Sequence, residues 1–245
     1  MIIACFDIET IPDQNIPPEC LPILDLEDVK YGNAKDPVKR QAILEEKQAD
    51  FETNKIKSMS LTPGLAQVCT FVGMKYDTET ELFIKESIQV TKEYNGDDLE
   101  AITEGWGFIQ KAYMERIPLV SFNGIGFDLP ILWHRAMIQD IPVDPFMYAR
   151  LTPRYGGPFH YDLLGILAGW TIDKMKGKNL NFFLNRFKLG NKTDGMDGSK
   201  VYEAWQLGEY QKIQEYCEND VLMTCKLFQR VEPWIKQSKI EKEEL

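Results

Sequence analysis

The feature that most limits what this chain can fold into is an apolar strand that carries acids on one side. Ile2-Ile-Ala-Cys-Phe-Asp7-Ile8-Glu9 reads as a buried β-strand over residues 2–8. Asp7 and Glu9 are two residues apart, so on a strand they share one face. Other acids stand in similar company. Asp128 ends Ser121-Phe-Asn-Gly-Ile-Gly-Phe-Asp128, and Asp220 follows Tyr216 by one helical turn in Tyr216-Cys-Glu-Asn-Asp220-Val. If these carboxylates converge, they repel one another strongly unless cations lie between them. Such a need points to paired metal ions gripping a phosphate.

Each acid also has a structural explanation. Asp7 and Glu9 would be ordinary if the strand ended before them, since Thr10-Ile11-Pro12 follows at once. Asp128 precedes Pro130 by two residues and would serve as a helix N-cap. Asp220, at the edge of a helix core face, would be satisfied by a salt bridge to a lysine or arginine elsewhere. Glu218 and Asn219 beside it are expected to face solvent.

The order of elements is α/β. Strands are predicted over 67–75 and 80–84 around a turn at Asp77 and Thr78, and over 117–122. A helix is predicted over 98–114 with Leu99, Ile102, Trp106, Ile109 and Tyr113 on one face, and another starts near Asp128. Leu180, Phe183, Leu184 and Phe187 recur at helical spacing, with Gly190 as the stop. A last long helix runs over 209–231 with Ile213, Cys217, Val221, Thr224 and Phe228 inward. Residues 1–235 are expected to form one domain, followed by a charged tail over 236–245. Residues 13–60 look like an insertion between the first two strands. Asp36-Pro37 opens a charged helix there to about Asn54, with a thin stripe of Val38, Ala42 and Ala49, lying on the surface or arching over the site.

Bulk properties exclude several classes. Lys and Arg number 28 against 38 Asp and Glu, a net charge of −10, which disfavours non-specific packaging of nucleic acid. No apolar run is long enough for a membrane helix, and the N-terminus lacks the basic region of a secretory signal. Five cysteines without a C-x-x-C pair, and only two histidines, argue against a disulfide framework or a zinc site. Reduced thiols and an intracellular, cytoplasmic setting, with association to the nucleoid possible, are expected.

The motifs resemble those of a known family. Phe6-Asp7-Ile8-Glu9-Thr10, Asn123-Gly-Ile-Gly-Phe127-Asp128 and Tyr216-x-x-x-Asp220 look like the three motifs of DEDD-type 3′–5′ exonucleases of the tyrosine subclass. Phe159-His-Tyr-Asp162-Leu-Leu and Asp197-Gly-Ser-Lys-Val201 are similar to predicted exonucleases related to the proofreading domain of family-B DNA polymerases. The likeness runs from residue 2 to about 230, apart from 13–60.

The resemblance implies a ribonuclease-H-like mixed β-sheet flanked by helices. It implies Asp7, Glu9, Asp128 and Asp220 as ligands of two divalent cations, Mg²⁺ or Mn²⁺, which suit carboxylate oxygens. It further implies that Tyr216 orients the attacking water, and that Thr10, Asn123 and Phe127 contact the terminal nucleotide, Phe127 alternatively being a core aromatic. Asp162 is a helix cap or a group supporting the site. The substrate expected is single-stranded nucleic acid with a free 3′ end, DNA favoured, cut to nucleoside 5′-monophosphates, with a polymerase or repair partner open. RNA trimming, endonuclease action and a catalytically silent binding domain are the alternatives. Lys174, Lys176, Lys178, Arg186, Lys188 and Lys192 make a basic stretch that would track a strand backbone or form a solvated face.

Overall fold

The computed structural model describes residues 1–91, 97–171, 179–190 and 196–243, with side chains as far as 235. Its strands are β1 (Ile2–Pro12), β2 (Ala66–Asp77), β3 (Phe83–Gln89), β4 (Leu119–Ser121) and β5 (His160–Asp162). They form one mixed sheet in the order β3-β2-β1-β4-β5. β2 is antiparallel to β1 and to β3, while β4 runs parallel to β1 and to β5. The helices are α1 (Pro37–Leu61), α2 (Leu99–Met114), α3 (Asp128–Ile138), α4 (Pro145–Leu151), α5 (Leu163–Leu167), α6 (Leu180–Phe187), α7 (Val201–Gln206) and α8 (Tyr210–Glu243).

The alternation of β1 divides the core. Ala4, Phe6 and Ile8 pack with Ile102, Trp106 and Ile109 of α2 and with Leu129, Ile131 and Leu132 of α3. Ile3 and Cys5 face the other way, onto Leu180, Phe183 and Leu184 of α6 and Cys217, Val221, Cys225 and Phe228 of α8. The sheet is therefore buried on both faces at its centre, as a strand with no exposed side requires. This is the mixed β-sheet flanked by helices that the resemblance implies. Ile11 packs with Ile213, and Gln229 bonds Tyr76 Oη, whose residue pairs with Ile3, so α8 runs antiparallel to β1.

Several boundaries differ from expectation. β1 continues to Pro12, which places Asp7 and Glu9 inside the strand rather than in a turn beyond it. β3 begins at Phe83 and reaches Gln89, not 80–84, because it is an edge strand whose Phe83 and Ile84 stay exposed and leave no alternation to read. Leu99 lies outside the core face of α2, which is set by Ala101, Ile102, Gly105, Trp106 and Phe108. α6 stops at Lys188, which takes the left-handed conformation at φ 58°, two residues before Gly190. Glu218 is half-buried and pairs with Lys85 of β3 at 2.6 Å, and Asn219 is half-buried too, so neither faces solvent freely.

The segment between β1 and β2 holds α1. Asp36 caps it by accepting from Val38 N, as the Asp-Pro pair predicts. The helix continues past Asn54 to Leu61. Val38 is 75 % exposed and Ala42 and Ala49 are exposed, so the expected stripe is not a packing face. Met59 is its one buried residue, and Thr10 Oγ1 donates to Ser60 O at 2.6 Å, which joins its last turn to β1.

Candidate active site

The short strand β4 runs parallel to the first half of β1, with Ala4 opposite Leu119 and Cys5 opposite Val120, and ends beside the stretch of β1 that carries Asp7. Loops leaving the carboxyl ends of parallel strands are where α/β sheets build sites. Asp7 and Glu9 continue the face of Ile3 and Cys5, so they point at α8. A β-bulge follows at once, where the pairing of Glu9 with Thr70 shifts to Thr10 with Val68.

The loop after β4 delivers the next acid. Asn123 holds a left-handed backbone at φ 71°, a conformation asparagine tolerates. Gly124 and Gly126 follow because side chains there would collide: a Cβ at 124 would lie 2.2 Å from Ser121 Oγ, and one at 126 would lie 2.7 Å from Asn123 Oδ1. These glycines are steric necessities of a tight turn and not a nucleotide-binding loop. The chain then enters α3, with Phe127 at the N-cap position. Asp128 does not cap the helix. Its carboxylate accepts from Ile8 N at 3.1 Å, which draws it onto β1 between the other acids.

Two buried polar groups lock this loop. Asp162 caps α5 by accepting from Leu164 N and Gly165 N, as expected. It also accepts from Asn123 N and Ile125 N, both at 3.0 Å, so one carboxylate fixes both the helix start and the loop. His160 Nδ1 lies 2.8 Å from Leu151 O and must donate to it, which leaves Nε2 to accept from Ser121 Oγ at 2.8 Å. Ser121 Oγ in turn accepts from Gly124 N at 3.1 Å. Burial lowers the His160 pKa, so the ring is neutral in this relay.

α8 closes the site. Tyr216 and Asp220 stand one turn apart and are 6 % and 7 % exposed. Their side chains hydrogen-bond each other, and burial, then Asp220, Glu9 and Asp7, hold the tyrosine hydroxyl above its ordinary pKa. Cys217 lies between them on the helix, and its thiol donates to Asp7 Oδ2 at 3.7 Å. Ligand atoms of Asp7, Glu9 and Cys217 lie within 4.8 Å of one another. Burial pushes the Cys217 thiol well up, helped by Asp7, Glu9, Asp220 and Asp128 in that order. One thiol thus lies within electrostatic reach of all four acids. Residue periodicity marked Cys217 only as a core position, and nothing in the sequence distinguished it from Cys225.

Burial pushes the Asp128 carboxyl up to about 7, against the pull of the Ile8 N–H, and Asp7 and Asp128 share a side-chain hydrogen bond. The cluster therefore retains a proton near neutrality. A set of carboxylate oxygens that cannot all ionise unaided fits hard divalent cations, and the neutral thiol offers no thiolate to attract a softer metal.

A cleft of about 690 Å³ opens above the cluster. Asp7, Glu9 and Asp220 line it, with Thr10, Asn123 and Phe127, while Asp128 and Tyr216 are nearly fully buried. Phe127 lines the cleft and also packs against the core cluster. The Thr10 hydroxyl is engaged by Ser60 O. Of the basic stretch, Lys174, Lys176, Lys178 and Lys192 lie outside the described residues, and Arg186 and Lys188 do not line the cleft. Sequence reasoning missed the Ser121–His160 relay; it placed α1 on the surface or arching over the site, and the last turns of α1 line the cleft.

No curated protein matches the chain. Among solved structures, the chain is similar to E. coli Exonuclease I in complex with a dT13 oligonucleotide, at 12 % identity and a TM-score of 0.39, over 97 % of this chain and 43 % of that one. It thus spans less than half the length of that protein. A family model described as "Predicted 3′-5′ exonuclease related to the exonuclease domain of PolB" matches residues 64–244. Asp128, Tyr216 and Asp220 fall inside that match, whereas Asp7 and Glu9 precede it and are tied to the others by the geometry above. With about three-quarters of its length matched, this chain belongs to the family of predicted 3′–5′ exonucleases related to the exonuclease domain of PolB.

Proposed function

We propose that the protein removes nucleoside 5′-monophosphates from the 3′ ends of single-stranded DNA, with two divalent cations, Mg²⁺ or Mn²⁺, held by Asp7, Glu9, Asp128 and Asp220. The observation that carries this reading is the gathering of these carboxylates around β1, with Asp7, Glu9 and Asp220 lining one open cleft and Asp128 buried beneath it. When bound, such cations offset the charge of the scissile phosphate and lower the pKa of the attacking water. In the reaction, the water oxygen bonds to phosphorus, the bond from phosphorus to the 3′ oxygen of the preceding nucleotide breaks, and that oxygen leaves with a proton.

The chain's own groups orient the partners. Burial and the neighbouring acids raise the Tyr216 pKa in the metal-free protein, which supports a role in positioning the water by hydrogen bonding over one in abstracting its proton. Asn123 and Phe127 receive the terminal nucleotide, one by hydrogen bonds and one by stacking. Thr10 has its side chain occupied and offers its backbone. The kinship with a DNA polymerase's exonuclease domain supports DNA over RNA.

The test is digestion of a 5′-labelled single strand with Mn²⁺, with and without chelator, by the wild type and Asp7→Ala. A ladder of shortened products is expected. Chelator should abolish it, and the substitution should slow it by more than about 100-fold. Discrete internal fragments, or cleavage indifferent to chelator, would overturn the reading. A matched RNA strand run beside it should be cut more slowly.

A further inference from the structure

The helix α1 has a face whose composition its own packing does not explain. Thr53, Ile56, Lys57, Ser60 and Leu61, spaced three and four apart, form one stripe, and all five line the cleft above the acidic cluster. Ile56 and Leu61 remain 45 % and 51 % exposed there, although Met59 one face away is buried. Lys57 is exposed, and it is the one lysine or arginine among the described residues lining the cleft. Asn179, Leu180, Ser199 and Tyr202 also line the cleft. The last turn is joined to β1 by the Thr10 Oγ1 bond to Ser60 O, one residue from Glu9, which sets the stripe beside the acids.

Apolar faces beside one cation suit a nucleic acid strand, whose sugars and bases are apolar and whose phosphates recur along the chain. The overall charge of −10 gives the protein little general attraction for such a strand, so a single well-placed lysine carries weight. We propose that α1 is a substrate-binding wall: Lys57 contacts the phosphate one nucleotide upstream of the scissile one, and Ile56 and Leu61 pack against the adjoining sugar and base. The inference rests on the exonuclease reading. The carboxylates and their cations serve the scissile phosphate, which leaves the lysine across the cleft for its neighbour. The segment carrying α1 lies before residue 64, outside the family match.

The experiment compares an oligothymidylate with the p-nitrophenyl ester of thymidine 5′-monophosphate, which has a scissile phosphodiester and no upstream phosphate. Both are assayed with Mn²⁺ across a series of NaCl concentrations. For Lys57→Ala, the ratio of KM on the oligonucleotide to KM on the ester should rise about tenfold. The slope of log KM for the oligonucleotide against log salt should become shallower by about 0.7, the value for one contact on a single strand. Lys57→Arg should restore the ratio, and Ile56→Ser should raise it without changing the salt slope. An unchanged ratio and slope in Lys57→Ala, or an equal loss on both substrates, would overturn the inference while leaving the exonuclease reading standing. A wild-type protein silent on both substrates would instead remove the reading, and the inference with it.

Discussion

Asp128 carries the sharpest electrostatic consequence at the residue scale. Its carboxyl is drawn under β1 by the Ile8 N–H yet stays protonated up to about pH 7, because burial disfavours its charge. A folded pKa above the unfolded value means that this group stabilises the metal-free protein fully below the unfolded pKa, near 4. That contribution is lost as pH rises toward 7. On the proposed two-cation reading, a cation must displace the proton, so its affinity should rise with pH through the same window and level off above it. We predict that saturating the protein with a fixed Mn²⁺ concentration raises Tm more at pH 8 than at pH 6. Thermal melts with and without Mn²⁺ check this, and equal shifts at both values would contradict it. Asp128→Asn should remove the pH dependence of the shift together with most of the shift itself.

Among the elements, the carboxyl end of β1 is held to α3 by one buried cation. Arg135, 2 % exposed, donates from Nε and Nη2 to both oxygens of Asp98 at 2.7 Å and from Nη1 to Asp13 at 2.6 Å. Asp98, fully buried, also accepts from Val68 N of β2 and from Gln139. Four elements or their ends meet on this group. Removing Arg135 strands the Asp98 charge, and Arg135→Met should cost about 3–5 kcal/mol. Pairing it with Asp98→Asn should recover part of the loss, because no charge is then left buried. Urea unfolding of the single and double variants measures both, and a single-variant loss under 1 kcal/mol would contradict the account. What the sequence revealed of such elements follows from their periodicity. α8 was legible because Ile213, Cys217, Val221, Thr224 and Phe228 all face the sheet. β3 was not, because an edge strand need not alternate, and α1 was cut short because its last turns carry apolar residues that face a cleft and not a core. The acids themselves were legible as residues, since each broke an apolar pattern. Their convergence was legible only through the family resemblance, because it depends on the hydrogen bonds of Asp128 and Asp162, which no spacing encodes.

For the whole molecule, the acidic cluster sets function against stability. Like charges gathered around Asp7 at the centre of the sheet destabilise the metal-free fold, and the cations proposed above would reverse the sign of that interaction. A ligand at 100 times its Kd that binds only the folded state adds about 2.7 kcal/mol. For a chain of this length that corresponds to a Tm rise of about 5–10 °C. Asp7→Asn keeps the size and the hydrogen-bonding capacity of the side chain while removing one charge beside Glu9 and the Cys217 thiol. The variant should melt higher than the wild type in chelator, by about 1 kcal/mol. It should also lose most of the rise that Mn²⁺ brings and most of its activity. The two stability curves should therefore cross: Asp7→Asn is the more stable protein without metal and the less stable one with it. Calorimetry of both proteins in chelator and in Mn²⁺ reads the crossing directly. If Asp7→Asn were the less stable protein in chelator, Asp7 would be holding the fold together through its hydrogen bonds, and the strain assigned to the cluster would have to be placed elsewhere.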